Sequence, residues 1–477
     1  MDINKPIELL HDIQRELWVE RVNRARVTGL VTSWISSLHP QKLECSLDGN
    51  FLNGSYNLCQ KLCFCDGTIW LLRMPIVGSV CDEHADEKIA VEVEVLSLLR
   101  ARNVPVPNIF AWGLSADNPL GLGPYIVMEF IEGVSVNTLL RQQHNTRLLR
   151  DDICEEDVKF LYRQFARILL QIFQIDFPVL GSLPTPITGF KAPVRPLTFK
   201  VHDILQTGGV DTFGDRNLGF SGTADYFCYL AGQDWEQFQR QPNSAGGPTV
   251  TQAKYAALRA LQAVAPQLVE PSYAFGPHKL ICDDLGLANL IVRSAEDLTV
   301  VGLVDLEWSY VGPAQLFGSA PWWLLQDRLN NYDTFLDEEE VPKILQRYLR
   351  SLDIFKTVLE EEEARTPGQP GMELSRLVRH SNESGSMWLH MLLSWGFNHP
   401  DSLPFAQLRA HLGQERWKEL EEGHHGNEAK KFTERKLAEL DKYDEMVEKM
   451  ECLREDVENG RMTREAFVAL LTNGAIK

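Results

Sequence analysis

The sequence lacks the features of a membrane-spanning, secreted or zinc-thiolate protein. No apolar run approaches the ~18–20 residues that cross a bilayer, and Met1–Lys5 leads into a charged amphipathic segment rather than a signal peptide. Its nine cysteines are odd in number and include no C-x-x-C pair. Reduced cysteines serving as small apolar side chains are therefore favoured over a disulfide framework or a metal site. We expect a soluble, cytoplasmic protein with no membrane partner.

Positive charge is also scarce. Lys and Arg number 47 against 66 Asp and Glu, which gives a formal net charge of −19. Binding to a phosphate backbone requires Lys and Arg to replace many counterions, so we expect no nucleic-acid partner. One phosphate-bearing ligand remains compatible, because a few oriented groups can hold it locally. An acidic body also suits a cationic small molecule, although the same charge simply improves solubility.

The length of 477 residues leaves room for two or three domains or lobes. Changes of periodicity divide the chain into an N-terminal helical segment at 1–40, a β-rich region at 41–131, a mainly helical region at 132–415 and a charged helical extension at 416–477. The order predicts an α+β protein with a small β-rich N-lobe, a short linker near 129–133 and a larger, mainly helical C-lobe.

Local patterns predict the elements of both lobes. In the small lobe they are strands at 43–47, 58–64 and 68–74, a helix at 87–100, and strands at 110–112 and 124–131. Residues 48–57, which are rich in Gly and Asn, read as a loop. In the large lobe helices are predicted near 134–142, 155–175, 222–240, 251–265, 341–362 and 373–395, with a strand-rich island at 278–308.

That island holds the residues most suited to chemistry. Leu290–Val292 and Leu298–Val304 read as two strands joined by a polar turn. If they pair antiparallel, Asn289 and Asp305 meet at the open end of the hairpin, and Asp284 lies on the loop that enters it. Two carboxylates and an amide form an oxygen-rich site suited to Mg²⁺. A loop with capping Asp and Asn side chains and no metal fits the same spacing.

The order of these parts resembles that of a kinase-like fold. Asp284-Leu-Gly-Leu-Ala-Asn289 and Val304-Asp-Leu-Glu-Trp308 are similar to the H-G-D-x-x-x-x-N and I-D-W-E signatures of the aminoglycoside/choline phosphotransferase family. The segments that resemble its fungal-type branch are Leu72–Pro75, Glu87–Lys88 with Glu92, Pro105–Pro107 and Tyr125–Gly133. The resemblance covers about residues 40–330. It implies a bilobal protein-kinase-like fold and a small-molecule kinase that uses ATP and Mg²⁺ to phosphorylate a hydroxyl group.

The resemblance also implies roles for individual residues. Asp284 corresponds to the catalytic Asp that orients the acceptor hydroxyl and takes its proton, and Asn289 and Asp305 correspond to the Mg²⁺ ligands. Arg73 would bind the nucleotide phosphates while Glu92 holds it. The remaining implied nucleotide contacts are Asn53, Gly54, Ser55 and Asn57 over the phosphates, and Glu129 to Ile131 at the adenine edge.

Departures from the family pattern support an alternative. Cys282 stands where a His is usual, Arg73 replaces the usual Lys, and Gly49 and Gly54 do not form a G-x-G-x-x-G loop. These features motivate a catalytically inactive, kinase-like protein that binds a nucleotide or metabolite. A protein kinase is disfavoured, because no D-F-G or A-P-E occurs at the expected places. No short motif identifies the acceptor; the acidic composition suits one that carries an amine.

Overall fold

The structure is a computed structural model that describes residues 3–142, 148–330, 340–366, 371–424 and 426–472. Its helices are α1 Lys5–Val27, α2 Leu30–Leu38, α3 Ala85–Arg100, α4 Val136–Leu140, α5 Glu155–Phe173, α6 Phe199–Gly208, α7 Thr223–Arg240, α8 Pro248–Val264, α9 Ala314–Phe317, α10 Glu340–Arg365, α11 Glu373–Glu383, α12 Ser386–Leu393, α13 Leu403–Leu412, α14 Gln414–Glu422, α15 Asn427–Glu458 and α16 Arg464–Leu470. Its strands are β1 Cys45–Asn53, β2 Asn57–Phe64, β3 Ile69–Pro75, β4 Ile109–Gly113, β5 Tyr125–Glu129, β6 Val134–Ser135, β7 Asp176–Phe177, β8 His278–Cys282, β9 Leu290–Val292, β10 Val300–Leu303 and β11 Ser309–Pro313. Within these ranges no helix is both long and apolar enough to cross a membrane.

The small lobe is built on an antiparallel sheet. In the described residues it has five strands in the order β1-β2-β3-β5-β4. The prediction of a loop from residue 48 was wrong, because β1 continues to Asn53. Leu52 and Asn53 still pair with Cys59 and Leu58 of β2. The register of the pairing shifts between Asp48 and Leu52, which accommodates the Gly and Asn residues there without ending the strand. The connecting turn is thereby reduced to residues 54–56.

The large lobe is mainly helical and carries two small sheets. One has the order β10-β9-β6 and the other β11-β8-β7 among the described residues. The predicted hairpin is confirmed, since Leu303 pairs with Leu290 in antiparallel register. The predicted fold class, α+β with a small β-rich lobe and a larger helical lobe, is confirmed as well. Helix α6 was not predicted; Thr198 caps it by accepting from the Val201 N–H.

Helix α3 lies between the small sheet and the large lobe and is buried on most of its surface. Two of its charged side chains reach into the large lobe. Glu87 pairs with Arg216 through two hydrogen bonds of 2.8 and 2.6 Å. Glu94 accepts from the backbone N–H groups of Ile187 and Thr188, both at 2.7 Å. Because these buried carboxylates accept hydrogen bonds from groups of the large lobe, α3 is held by the large lobe as well as by the small sheet.

The N-terminal helix links the two lobes and the C-terminal extension. The Asn4 N–H donates to the Thr207 carbonyl at 2.9 Å, and the Trp18 indole N–H donates to the Leu122 carbonyl at 2.9 Å. On another face α1 packs on α15 and α16, where a separate apolar cluster includes Leu9, Ile13 and Phe467. The two ends of the described chain therefore brace each other.

Phe467→Ala tests this brace. Phe467 is fully buried in the cluster, so its truncation should weaken the packing of α16 on α1 by about 3–5 kcal/mol. Hydrogen exchange should show lost amide protection in α16. Leu470→Ala is the matched control, since that side chain on the same helix is 47% exposed; its effect should be within about 0.5 kcal/mol. Equal loss of protection in the two variants would contradict the prediction.

Candidate active site

The hairpin of β9 and β10 brings three of the predicted polar residues together. The Val304 N–H donates to the Asn289 carbonyl at 3.0 Å, which places Asp305 beside Asn289. The Asn289 side-chain amide donates to the Asp284 carbonyl at 2.8 Å and lies 3.5 Å from an Asp284 carboxylate oxygen. Asp305 has a φ of 67°, a conformation that is uncommon outside glycine and often occurs at functional sites.

The small lobe contributes Arg73 from β3 and Glu92 from α3. The Arg73 guanidinium lies 3.5 Å from the Glu92 carboxylate. Its closer partners come from the large lobe: it ion-pairs with Asp305 and donates to Glu307 at 2.7 Å. Burial raises the pKa of Glu92 to about 7, against the opposing charge of Arg73. The predicted cation and helix carboxylate therefore adjoin the residues at the end of the hairpin.

From the sequence, Glu307 could be a metal ligand, an acidic contact to substrate or a salt-bridge partner, and Lys88 is not identified as part of the site. The structure shows the salt bridge. The buried Glu307 carboxylate accepts from Arg73, from the buried Lys88 ammonium and from the Asn57 amide, the last at 2.5 Å. Lys88 also donates to the Asn57 side-chain oxygen at 2.9 Å. Burial alone would raise the pKa of Glu307, but the charges of Lys88 and Arg73 outweigh it and lower that pKa to about 2. Glu307 is thus an ionised structural anchor. The sequence could have indicated this role for Lys88, because Lys88 and Glu92 are four residues apart and so lie on the same face of α3.

The structure separates the two adjacent carboxylates of the loop between β8 and β9. Asp283 is 5% exposed and accepts from the Phe199 N–H at 3.1 Å and the Tyr310 hydroxyl at 3.0 Å. Burial raises the pKa of Asp283 to about 7. The Asp284 side chain, in contrast, is 38% exposed, and partial burial raises its pKa to about 6 while Arg328 opposes that rise. Asp284 is therefore the one of the pair that an external hydroxyl can reach.

Cys282, at the end of β8, serves the packing of the loop. Its sulfur accepts a hydrogen bond from the Ser309 hydroxyl at 3.1 Å. Burial raises the pKa of the Cys282 thiol to about 12, so the group is uncharged at neutral pH. It supplies no charge to the loop that follows.

The other residues predicted to contact the nucleotide lie at the turn between β1 and β2 and at the linker. Gly54 and Ser55 are exposed in the turn between β1 and β2, but the Gly54 N–H donates to the Asn57 carbonyl at 2.9 Å. The prediction for the Asn53 side chain falls outside the described side chains. At the linker, the Glu129 N–H donates to the Asn108 carbonyl at 2.8 Å. The Ile131 N–H has no main-chain partner within the described ranges.

The oxygen atoms at the hairpin end fit a hard divalent cation. One Asp305 oxygen faces Arg73, and the side chain is partly exposed. The Asn289 side-chain oxygen accepts no hydrogen bond from any described group. No cluster of three or more His, Cys, Asp or Glu side chains of metal-binding type occurs in the described ranges. A cation held here would complete its shell with phosphate and water oxygens, which is the usual environment of Mg²⁺.

Comparison with known proteins gives limited matches. No protein-family model matches the sequence. A stretch of 95 residues is 36% identical to a subtelomeric hrmA-associated cluster protein of Aspergillus fumigatus, covering 20% of this chain and 16% of that protein. Among solved structures, a macrolide 2′-phosphotransferase type I is similar at 12% identity, with a TM-score of 0.39, over 83% of this chain and 97% of that chain. A macrolide 2′-phosphotransferase from Brachybacterium faecium has 15% identity and a TM-score of 0.37, over 80% of this chain and 96% of that chain. Matches of this extent assign neither an activity nor a substrate to this protein.

A second buried carboxylate, that of Asp203 on α6, lies near the loop between β8 and β9. Asp203 is buried, and no hydrogen bond from the described residues reaches its Oδ2. Burial raises the pKa of Asp203 from 3.8 to about 7, with Arg328 partly opposing the rise. The folded protein therefore binds a proton at Asp203 between pH 3.8 and about 7 that the unfolded chain has released. The contribution of Asp203 to the free energy of unfolding therefore falls as the pH rises through this window.

Asp203→Asn should remove the part of the pH dependence that Asp203 contributes. The variant should gain stability relative to the wild type at pH 8.5, where the buried carboxylate is ionised, and the gain should shrink toward pH 4. The slope within the window is at most about 1.4 kcal/mol per pH unit. Urea denaturation at several pH values measures it, with Asp444→Asn on the exposed face of α15 as the control. A stability difference that does not change with pH would contradict the prediction.

Proposed function

We propose that this protein is an ATP- and Mg²⁺-dependent phosphotransferase that phosphorylates a hydroxyl group of a small metabolite. One observation carries the proposal: Arg73 and Glu92 of the small lobe adjoin Asp284, Asn289 and Asp305 of the large lobe. The set combines a cation, a proton-accepting carboxylate and oxygen ligands. Phosphoryl transfer needs these groups because it depends on positioning and charge neutralisation more than on a strong nucleophile.

The nucleotide would lie against the small lobe. The planar Arg73 fork can bind phosphate oxygens through two hydrogen bonds, and it already faces the hairpin end. The turn at Gly54 and Ser55 is exposed and would cover the phosphates. The Ile131 N–H, which has no main-chain partner within the described ranges, would bind the adenine edge. Asn289 and Asp305 would hold Mg²⁺, which when bound neutralises charge on the phosphate oxygens.

The acceptor would lie against Asp284. With a pKa of about 6, this carboxylate is mostly ionised at neutral pH and can take the proton of an alcohol as the phosphoryl group transfers. Its partial exposure allows an external hydroxyl to approach it. The net charge of −19 suits an acceptor that carries an amine.

Asp284→Ala should abolish transfer while leaving nucleotide binding nearly intact. Loss of a positioned base typically costs 10²–10⁴-fold, so kcat should fall by at least about 100-fold. The assay is ADP release from Mg·ATP in water and with a panel of hydroxylated amines, sugars and polyols. Asp297→Ala, in the exposed turn at the far end of the same hairpin, is the control and should keep wild-type kcat. Full activity of Asp284→Ala would reject the catalytic assignment.

Asp305→Asn should remove the Mg²⁺ dependence of nucleotide binding. A ligand that binds only the folded state raises the melting temperature, so wild-type protein should shift more with ATP and Mg²⁺ than with ATP alone. The variant should lose that difference because a neutral amide replaces the charged ligand. Asp297→Asn is the matched control. An unchanged Mg²⁺ response in Asp305→Asn would show that Asp305 is not a ligand.

The ion pair between Arg73 and Asp305 supports a second candidate, a kinase-like binding protein without transfer activity. In that case each group would satisfy the other instead of binding phosphate and metal. A melting-temperature shift that is indifferent to Mg²⁺, together with no ADP release under any condition, would favour this function.

A further inference from the structure

Arg328 is a buried cation beside the loop between β8 and β9. The proposed function assigns no role to this side chain. Its guanidinium lies over three aromatic rings, 4.0 Å from the centroid of Trp322, 4.8 Å from that of Trp395 and 5.3 Å from that of Phe199. Aromatic faces attract a guanidinium plane and restrict its orientation. These three rings therefore restrict where the Arg328 guanidinium can lie.

From this position Arg328 contacts the loop twice. It donates to the Asp283 carbonyl at 2.5 Å, and the same nitrogen lies 3.6 Å from an Asp284 carboxylate oxygen. Within the described ranges this is the only cation in ion-pair distance of Asp284. One rigid group thus contacts both the main chain before Asp284 and its reactive side chain.

The other cations near this loop contact carboxylates other than Asp284. Arg73 and Lys88 are engaged with Asp305 and Glu307, and the neutral Cys282 thiol offers no charge. Without Arg328, the Asp284 carboxylate would have only the 3.5 Å contact with Asn289 among the described groups. It would also lie among negative charges, since Asp305 and Glu307 both act on it.

We infer that Arg328 is a positioning residue that holds the Asp284 carboxylate toward the acceptor hydroxyl by gripping the main chain at Asp283. The inference rests on the proposed phosphotransferase function. Arg328 acts through Asp284 and makes no contact with Arg73, Asn289 or Asp305 in the described structure. Its loss should therefore reduce the rate of transfer and spare nucleotide binding.

Two substitutions test this role. Arg328→Met keeps an unbranched apolar stem against the rings but removes the charge and the donors. Arg328→Lys keeps the charge without the planar fork. The control is Arg454→Met, which removes a partly buried arginine that pairs with Glu16 and Glu458, far along the chain on α15. Each variant is assayed for ADP release from Mg·ATP, in water and with the hydroxyl panel, and for its melting-temperature shift with Mg·ATP.

Arg328→Met should lower kcat by about 100-fold, the cost of misplacing a reacting group by about 1 Å, with KM for ATP and the Mg·ATP shift unchanged. Arg328→Lys should fall between Arg328→Met and the wild type, and Arg454→Met should keep wild-type kcat. Wild-type kcat in Arg328→Met would overturn the inference alone. So would a joint loss of kcat and of the Mg·ATP shift in both Arg328 variants, which indicates a general structural role. An inactive wild type would instead reject the proposed function, and the inference with it.

Discussion

The candidate site depends on one buried carboxylate. Glu307 follows the hairpin of the large lobe, yet its hydrogen-bond donors, Lys88, Arg73 and Asn57, all belong to the small lobe. Removing one partner of such a buried ionic cluster leaves the remaining charge uncompensated, which typically costs about 3–5 kcal/mol. The relative position of β3, α3 and the hairpin is therefore set by charge pairing as well as by apolar packing. The Arg73 guanidinium contacts both Glu307 and Asp305, so the same side chain joins this carboxylate to the end of the hairpin.

Helix α3 extends this constraint across the molecule. Its four buried charged side chains divide between two tasks: Lys88 and Glu92 face the site, while Glu87 and Glu94 bind groups of the large lobe. Displacing α3 would break all of these contacts together. In contrast to a helix held only by an apolar stripe, it has little freedom to slide, because each hydrogen bond fixes a direction and a distance. Contacts within the chain itself therefore fix the positions of Lys88 and Glu92.

The loop between β8 and β9 shows how the fold places two adjacent carboxylates in different surroundings. Asp283 is buried, where the Phe199 N–H and the Tyr310 hydroxyl donate to it, whereas the Asp284 side chain is partly exposed. Their chemical identity is the same, so the difference lies entirely in which partners surround each carboxylate. Cys282 completes the inward side of the loop with an uncharged thiol. Asp283 therefore stabilises the loop through its hydrogen bonds, while the neighbouring Asp284 carboxylate stays partly exposed.

Local patterns in the sequence determined the alternation of strands and helices in the small lobe, the β9–β10 hairpin and the meeting of Asn289 with Asp305. These depend on contacts between residues close in the chain, which periodicity and turn composition encode. The extent of β1 was wrong, because pairing with β2 outweighed the Gly and Asn residues that indicated a loop. Only the tertiary structure decided the roles of Glu307, Lys88 and Arg328. Asn57 and Glu307 are 250 positions apart and Arg73 and Asp305 are 232 apart, and no local pattern records which buried charges will meet across such distances.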